Sequence, residues 1–229
     1  MEFLDPPQVT SLENPRGPAP LLRPFEPPLE ILHDIFEHAI PPNFLADLSA
    51  SFSPNSLWCR ALRQKLSLLN VCWAWYRVAV PFLYGDVAIR RVYQLGNLLR
   101  TLESSDSSHL KDVIKTLNVH CFIPHSFHDS FNMQLIQLFK ICPRLTGFSY
   151  KSPCYPPSLG TLPPLPPTLT HLELGEDVNL SVLQDALEAL SANLVSLSID
   201  SVKTHLNANS YTFPLLESLT FVLGRTALG

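Results

Sequence analysis

Charge is scarce in this 229-residue chain. Asp, Glu, Lys and Arg together make up 16% of it, and 20 acidic against 16 basic residues leave a formal net charge of -4. Without a basic excess there is little to neutralise a phosphate backbone, which argues against nucleic acid as a partner. Long apolar runs are missing as well. No stretch approaches the ~20 residues needed to span a bilayer, and the N-terminus is acidic and Pro-rich instead of basic and then apolar. No membrane partner is expected, nor secretion. The five cysteines are odd in number and form no Cys-x-x-Cys pair, which fits reduced thiols in a cytoplasmic or nuclear compartment. Neither a Gly-rich phosphate loop nor a Gly-x-Ser-x-Gly or His-Glu-x-x-His motif occurs, so no enzyme and no cofactor is expected.

What is present is apolar and patterned: 46% of the residues are hydrophobic, enough to bury a core. Eight of the 22 prolines fall in the first 28 residues, where they remove backbone donors and oppose helix. Residues 1–26 read as a disordered Pro-rich tail. Periodicity then begins: Leu29, Leu32, Ile35, Phe36 and Ala39 recur at three and four residues, on one face of a helix that Pro41 and Pro42 end. After a polar loop, a second apolar helical tract is predicted from about Leu57 to Val80, closed by Pro81.

From about residue 86 the pattern changes. Leu-x-x-Leu-x-Leu and its conservative variants appear at Ile114/Leu117/Val119, Leu145/Phe148/Tyr150, Leu169/Leu172/Leu174, Leu194/Leu197/Ile199 and Leu216/Leu219/Phe221. The middle positions are spaced 31, 24, 25 and 22 residues apart, three of them within the ~20 to 29 residues of a leucine-rich repeat. Val87 and Ile89 mark an earlier, irregular strand. Helix-spaced returns follow at Leu95/Leu98/Leu99/Leu102, Leu135/Leu138/Phe139/Cys142 and Leu183/Leu187/Leu190, while seven prolines between residues 153 and 167 demand an extended connector. Such a unit buries its apolar face only against the next one. The predicted fold is therefore α+β: a helical domain over 27–85, then a short irregular leucine-rich-repeat solenoid over 86–229. The array is expected to be incomplete at its C-terminal end, with Leu216, Leu219 and Phe221 less covered than Leu169, Leu172 and Leu174.

Period-two geometry sends the residues between the buried ones to the opposite, concave face: Thr116, Asn118 and His120; Gly147 and Ser149; His171 and Glu173; Ser196, Ser198 and Asp200; Ser218 and Thr220. Of these, His171, Glu173, Ser198 and Asp200 are the candidate contacts for a protein target. His120, Cys121, His125 and His128 could supply metal ligands, but their spacing matches no closed site, and solvated loop histidines are the expectation.

The run Pro28-Leu29-Glu30-Ile31-Leu32-His33-Asp34-Ile35-Phe36, followed by Val71-Cys72-Trp73-Ala74-Trp75, resembles the F-box family, matching its Pro-x-Glu-Ile/Leu-Leu-x-x-Ile-Phe and Val-Cys-x-x-Trp signatures. The resemblance covers about residues 27 to 85. It departs where Pro27 replaces a usual Leu and where the connection from Pro42 to Leu66 is long, a feature similar to the expanded fungal F-box-like proteins with irregular leucine-rich repeats. The resemblance implies a substrate-recruiting subunit of a cullin-based ubiquitin ligase. Its adaptor partner would be met by Pro28, Glu30, Ile31, Leu32 and Ile35, with Phe36, Val71, Cys72 and Trp75 closing the F-box core or rim. The alternatives are a ligase-independent interaction scaffold and a metal-dependent enzyme using the 120–128 cluster.

Overall fold

The computed structural model describes residues 27–40, 56–151, 162–175, 180–200 and 212–222. The expected Pro-rich tail, most of the loop before residue 56, the first part of the 153–167 connector and the final residues lie outside the described set. Three helices come first: α1 (Leu29–Ala39), α2 (Leu57–Leu69) and α3 (Trp73–Tyr84). Glu30 in the first turn of α1 and His38 in the last suit the helix dipole, and the Pro28 carbonyl accepts the first intrahelical bond from the Leu32 N–H at 3.1 Å. The Ser56 hydroxyl caps α2 by accepting from the Cys59 N–H at 3.2 Å.

The single tract predicted over 57–80 is in fact two helices, and Pro81 lies inside α3 instead of closing it. The break has a local cause. Asn70 leaves the helical conformation, its side-chain amide donating back to the Leu66 carbonyl, and Cys72 is extended at φ -163 and ψ 173. Folding back at 70–72 lets α3 pack on α2, which one rod could not do. Pro81 forgoes one N–H bond near the end of its helix, and the next turn closes normally with the Gly85 N–H donating to the Pro81 carbonyl. The helical unit buries Leu32, Phe36, Ile40, Val78 and Ala79, with Trp75 and Phe82 packed against them.

Six strands follow, β1 (Asp86–Ile89), β2 (Thr116–Val119), β3 (Gly147–Tyr150), β4 (His171–Leu174), β5 (Ser196–Asp200) and β6 (Ser218–Val222), all parallel and paired in sequence order. All five predicted strand motifs, and the Val87/Ile89 strand, coincide with these elements. Returning helices α4 (Val92–Glu103), α5 (His128–Ile141) and α6 (Leu180–Leu190) separate some of them. The register aligns two apolar rows across the sheet: Val87, Leu117, Phe148, Leu172, Leu197 and Leu219, and Ile89, Val119, Tyr150, Leu174, Ile199 and Phe221. Up to β5 these rows share one core with Leu95 and Leu99 of α4, Leu135 and Leu138 of α5, and Leu183 and Leu187 of α6. The helices thus cover one face, and the alternate residues line the other. Each fully buried Leu or Phe in that core contributes about 1.5–3 kcal/mol.

A repeated backbone contact spaces the strands. The carbonyl just before a strand accepts two successive N–H groups from the next chain segment: Gly85 from Lys115 and Thr116, Lys115 from Thr146 and Gly147, Thr146 from Thr170 and His171, Thr170 from Val195 and Ser196, Val195 from Glu217 and Ser218. Five such rungs give every strand the same starting line. At the last of them cover thins, as expected: Leu219 and Phe221 are 52% and 46% exposed, against 2% and 0% for Leu172 and Leu174.

Candidate functional site

Two surfaces present the residues singled out in the sequence. On α1 the predicted stripe divides. Leu32 and Phe36 are closed into the helical core, where the Phe36 ring meets Trp75 edge-on at 5.0 Å and Phe82 at 6.2 Å. Pro28, Glu30, Ile31 and Ile35 face outward, the two isoleucines half exposed. Leu32 thus lies in the helical core, because at 100° per residue it follows Phe36 and not the flank of Ile31 and Ile35. Val71 and Cys72 are exposed in the α2–α3 turn, beside Trp73, which stacks on Tyr76 at 5.2 Å and is the most exposed large apolar residue described. Trp75 is half-buried, as a rim residue would be.

The outward face of the sheet carries three polar rows. The first runs Asp86, Thr116, Gly147, His171, Ser196, Ser218, and the second Ala88, Asn118, Ser149, Glu173, Ser198, Thr220. The third runs through Arg90, His120, Lys151 and Gly175, each just past the end of its strand, to Asp200, the last residue of β5. Of the four predicted target contacts, Glu173 and Asp200 are drawn together by Lys151, whose Nζ lies 2.6 Å from Glu173 Oε1 and 3.3 Å from Asp200 Oδ2. Ser149 Oγ donates to Glu173 Oε2 at 2.7 Å and sits 3.3 Å from His120 Nε2. His171 is exposed one row away, with Thr170 Oγ1 2.8 Å from its Nδ1, and Ser198 is half-buried beside Glu173 in the register. Lys151, Ser149 and His120 therefore belong to this cluster; the sequence placed Ser149 and His120 on the concave face without naming them as target contacts, and it gave Lys151 no role. Their signal was the register itself, since residues 24 to 31 apart come to lie side by side.

Electrostatics follow from that packing. Burial, with help from Lys151 and Arg90, pushes His120 down to about 4, so its imidazole is neutral near pH 7. Burial alone would raise Glu173, but the bonds from Lys151 and Ser149 outweigh it and hold the carboxylate below the usual range. Lys151 is raised in turn by Glu173 and Asp200 against the opposing cost of burial. Ser149, His120 and Glu173 are not arranged as a nucleophilic triad: there the carboxylate orients the imidazole, whereas here it accepts the hydroxyl's hydrogen bond directly and is itself tied to Lys151.

Arg90, at the end of the third row, has its three guanidinium nitrogens buried without a hydrogen-bond acceptor among the described residues, and its Cζ lies 4.1 Å over the Trp58 ring. This cation–π contact joins α2 to the sheet. The expected solvated histidine loop holds for His125, which is exposed, and is corrected for the others: His120 and His128 are 7% and 8% exposed and Cys121 is 1%. The three buried residues sit in packed positions beside β2 or at the start of α5. Among the described residues the group whose ligand atoms do converge is His33, Asp34 and Glu37, all exposed along α1. Cys59, Cys72 and Cys142 are free thiols, and burial pushes Cys142 up to about 11. No helix among the described residues is long and apolar enough to cross a membrane.

No protein-family model matches the chain, and no curated protein or solved structure is significantly similar to it.

Proposed function

We propose that the chain is an F-box-like, substrate-recruiting subunit of a cullin-based ubiquitin ligase. It docks to the adaptor through α1 and the α2–α3 turn, and it holds a protein target on the polar face of a short leucine-rich-repeat solenoid. The observation that carries this reading is the outer flank of α1. Ile31 and Ile35, one turn apart, are 50% and 49% exposed while Leu32 and Phe36 are sealed behind them. Burying such a side chain is worth about 1.5–3 kcal/mol, so a helix that keeps two in water is suited to a partner that covers them. Exposed Val71 and Trp73 extend the apolar surface of the unit.

The repeat half of the reading is supported by the in-order parallel strands and by the five equivalent carbonyl rungs, each adding one strand in the same way. The target would meet the Glu173, Lys151 and Asp200 cluster with His171 and Ser198 beside it. In this role the protein positions two others and performs no chemistry itself. Co-purification with the adaptor tests the docking. Ile31→Glu and Ile35→Glu should abolish it, because each would place an unpaired carboxylate in the interface. Both should leave the fold intact, as surface substitutions usually change stability by no more than about 0.5 kcal/mol. Wild-type adaptor yield with both variants would end the docking reading.

A further inference from the structure

The polar face of the sheet begins where α2 meets the end of β1, and Arg90 stands in that corner. Its main-chain N–H donates to Gln94 Oε1 at 2.7 Å, and its guanidinium lies over the Trp58 ring. Arg90 is partly exposed as a residue, yet Nε and both Nη atoms are sealed from solvent with no acceptor among the described residues. What it shows to water is therefore carbon stem and main chain. A surface arginine is ordinarily held the other way round, its stem on the protein and its head in water.

This arrangement is costly. A guanidinium keeps its charge inside a protein, so burial cannot be relieved by loss of a proton. Each donor of its planar fork that is buried unpaired adds a desolvation cost, and the Trp58 ring answers the charge without offering a lone pair. The acids of the polar face are already engaged. Glu173 and Asp200 are both drawn to Lys151, Glu173 also accepts from Ser149, and Asp86, at the other end of β1, is occupied by Thr116 and Asn118. Next along the row, His120 is kept neutral by burial and by the Lys151 and Arg90 charges, so it supplies no anion either.

We propose that Arg90 is a target-contact residue: its head leaves Trp58, turns outward along the third row and takes a carboxylate side chain of an acidic target segment through two parallel N–H···O bonds. This deepens the reading of the polar face as a target-binding surface and rests on it. The move exchanges a ring face for an acceptor that matches the geometry of the fork. A carboxylate suits the corner better than a phosphate, because Glu173 and Asp200 along the same row oppose a second negative charge. Trp58, uncovered by the move, reports it.

The test uses the full isotope-labelled chain and a blocked tri-glutamate peptide at millimolar concentration and pH 7, followed by nuclear magnetic resonance. The Arg90 Nε–H and Trp58 indole N–H signals, assigned with Arg90→Lys and Trp58→Phe, should move together and saturate together. A tri-glutamine peptide should move neither. Arg90→Lys keeps the charge but loses the fork, so the remaining shifts at His171 and Ser198 should need about tenfold more peptide, the low end for losing a charge-assisted bond. Movement at His171 and Ser198 with Arg90 and Trp58 still would overturn the proposal and leave the polar face as the target surface. Tri-glutamine acting as well as tri-glutamate, Arg90→Lys binding as tightly as wild type, or no shift at any residue of the face would also overturn it. A phosphoserine peptide that bound more tightly than tri-glutamate would overturn the choice of a carboxylate. Adaptor docking is read separately by co-purification, so its failure and this one are told apart.

Discussion

The helical unit and the sheet use the same apolar residues in opposite ways. In the sheet, Leu117, Leu172 and Leu197 of one row are each no more than 2% exposed, and helices from three returns close over them. In the helical unit, Leu32 and Phe36 are sealed, yet Ile31, Ile35, Val71 and Trp73 are half exposed or more. Three short helices enclose little volume, whereas stacked strand-and-return units add core with every addition. The first region therefore leaves apolar side chains uncovered, and the second encloses its own until β6.

That contrast can be broken most directly at Phe36. Phe36→Ala should cost about 3–5 kcal/mol and should melt the helical unit before the sheet. All three tryptophans lie in that unit, so their fluorescence should change at lower denaturant than the far-ultraviolet circular dichroism of the whole chain. Coincident transitions would mean that the Trp58–Arg90 contact welds the two regions into one cooperative body.

The sheet's own asymmetry predicts the next effect. Leu172→Ala should cost about 2–5 kcal/mol, and Leu219→Ala, in the same row but half in water, less than about 1 kcal/mol, both read by urea denaturation. Equal losses would show that the β6 end is covered as tightly as the middle.

Acid should act on the outward face of the sheet. His120 binds its proton at about 4 in the folded chain and near 6.5 when unfolded. Below about 6.5 the unfolded state takes up a proton that the native state refuses, so stability falls with pH until about 4. At about 1.36 kcal/mol per unit the full loss approaches about 3 kcal/mol. Glu173, held down by Lys151 and Ser149, adds a loss of the same sign as pH falls through its depressed value. In His120→Asn the slope between pH 6.5 and 4 should flatten.

The smallest change is at Gly175, where an added Cβ would meet the Lys151 Cα at 3.1 Å and the Tyr150 carbonyl oxygen at 3.4 Å. Gly175→Ala should cost about 1 kcal/mol, the low end for overpacking. It should also push Lys151 off its acids, so that the Glu173 carboxylate, followed by nuclear magnetic resonance, titrates closer to its ordinary value.

Much of this was legible along the chain. Period-two alternation located all six strands, and period 3.6 located α4, α5 and α6, because both are properties of neighbouring residues. Where reading failed, distance was the reason. A proline at 81 is a helix stop in a local window, but in the folded chain the stop falls at 70–72, where turning back lets α3 pack on α2. Leu32 and Ile35 look alike as letters, and only the position of α3 decides which one is covered.

By itself, then, the sequence determined the order of elements, their spacing and the two apolar rows, since each follows from side chains a few residues apart. The tertiary structure alone decided which polar residues became a site. Lys151 meets Glu173 and Asp200, and Trp58 lies over Arg90, because segments distant along the chain are brought side by side. A charge buried by the arrival of another segment leaves no mark on its own neighbours, and so no local pattern could have announced it.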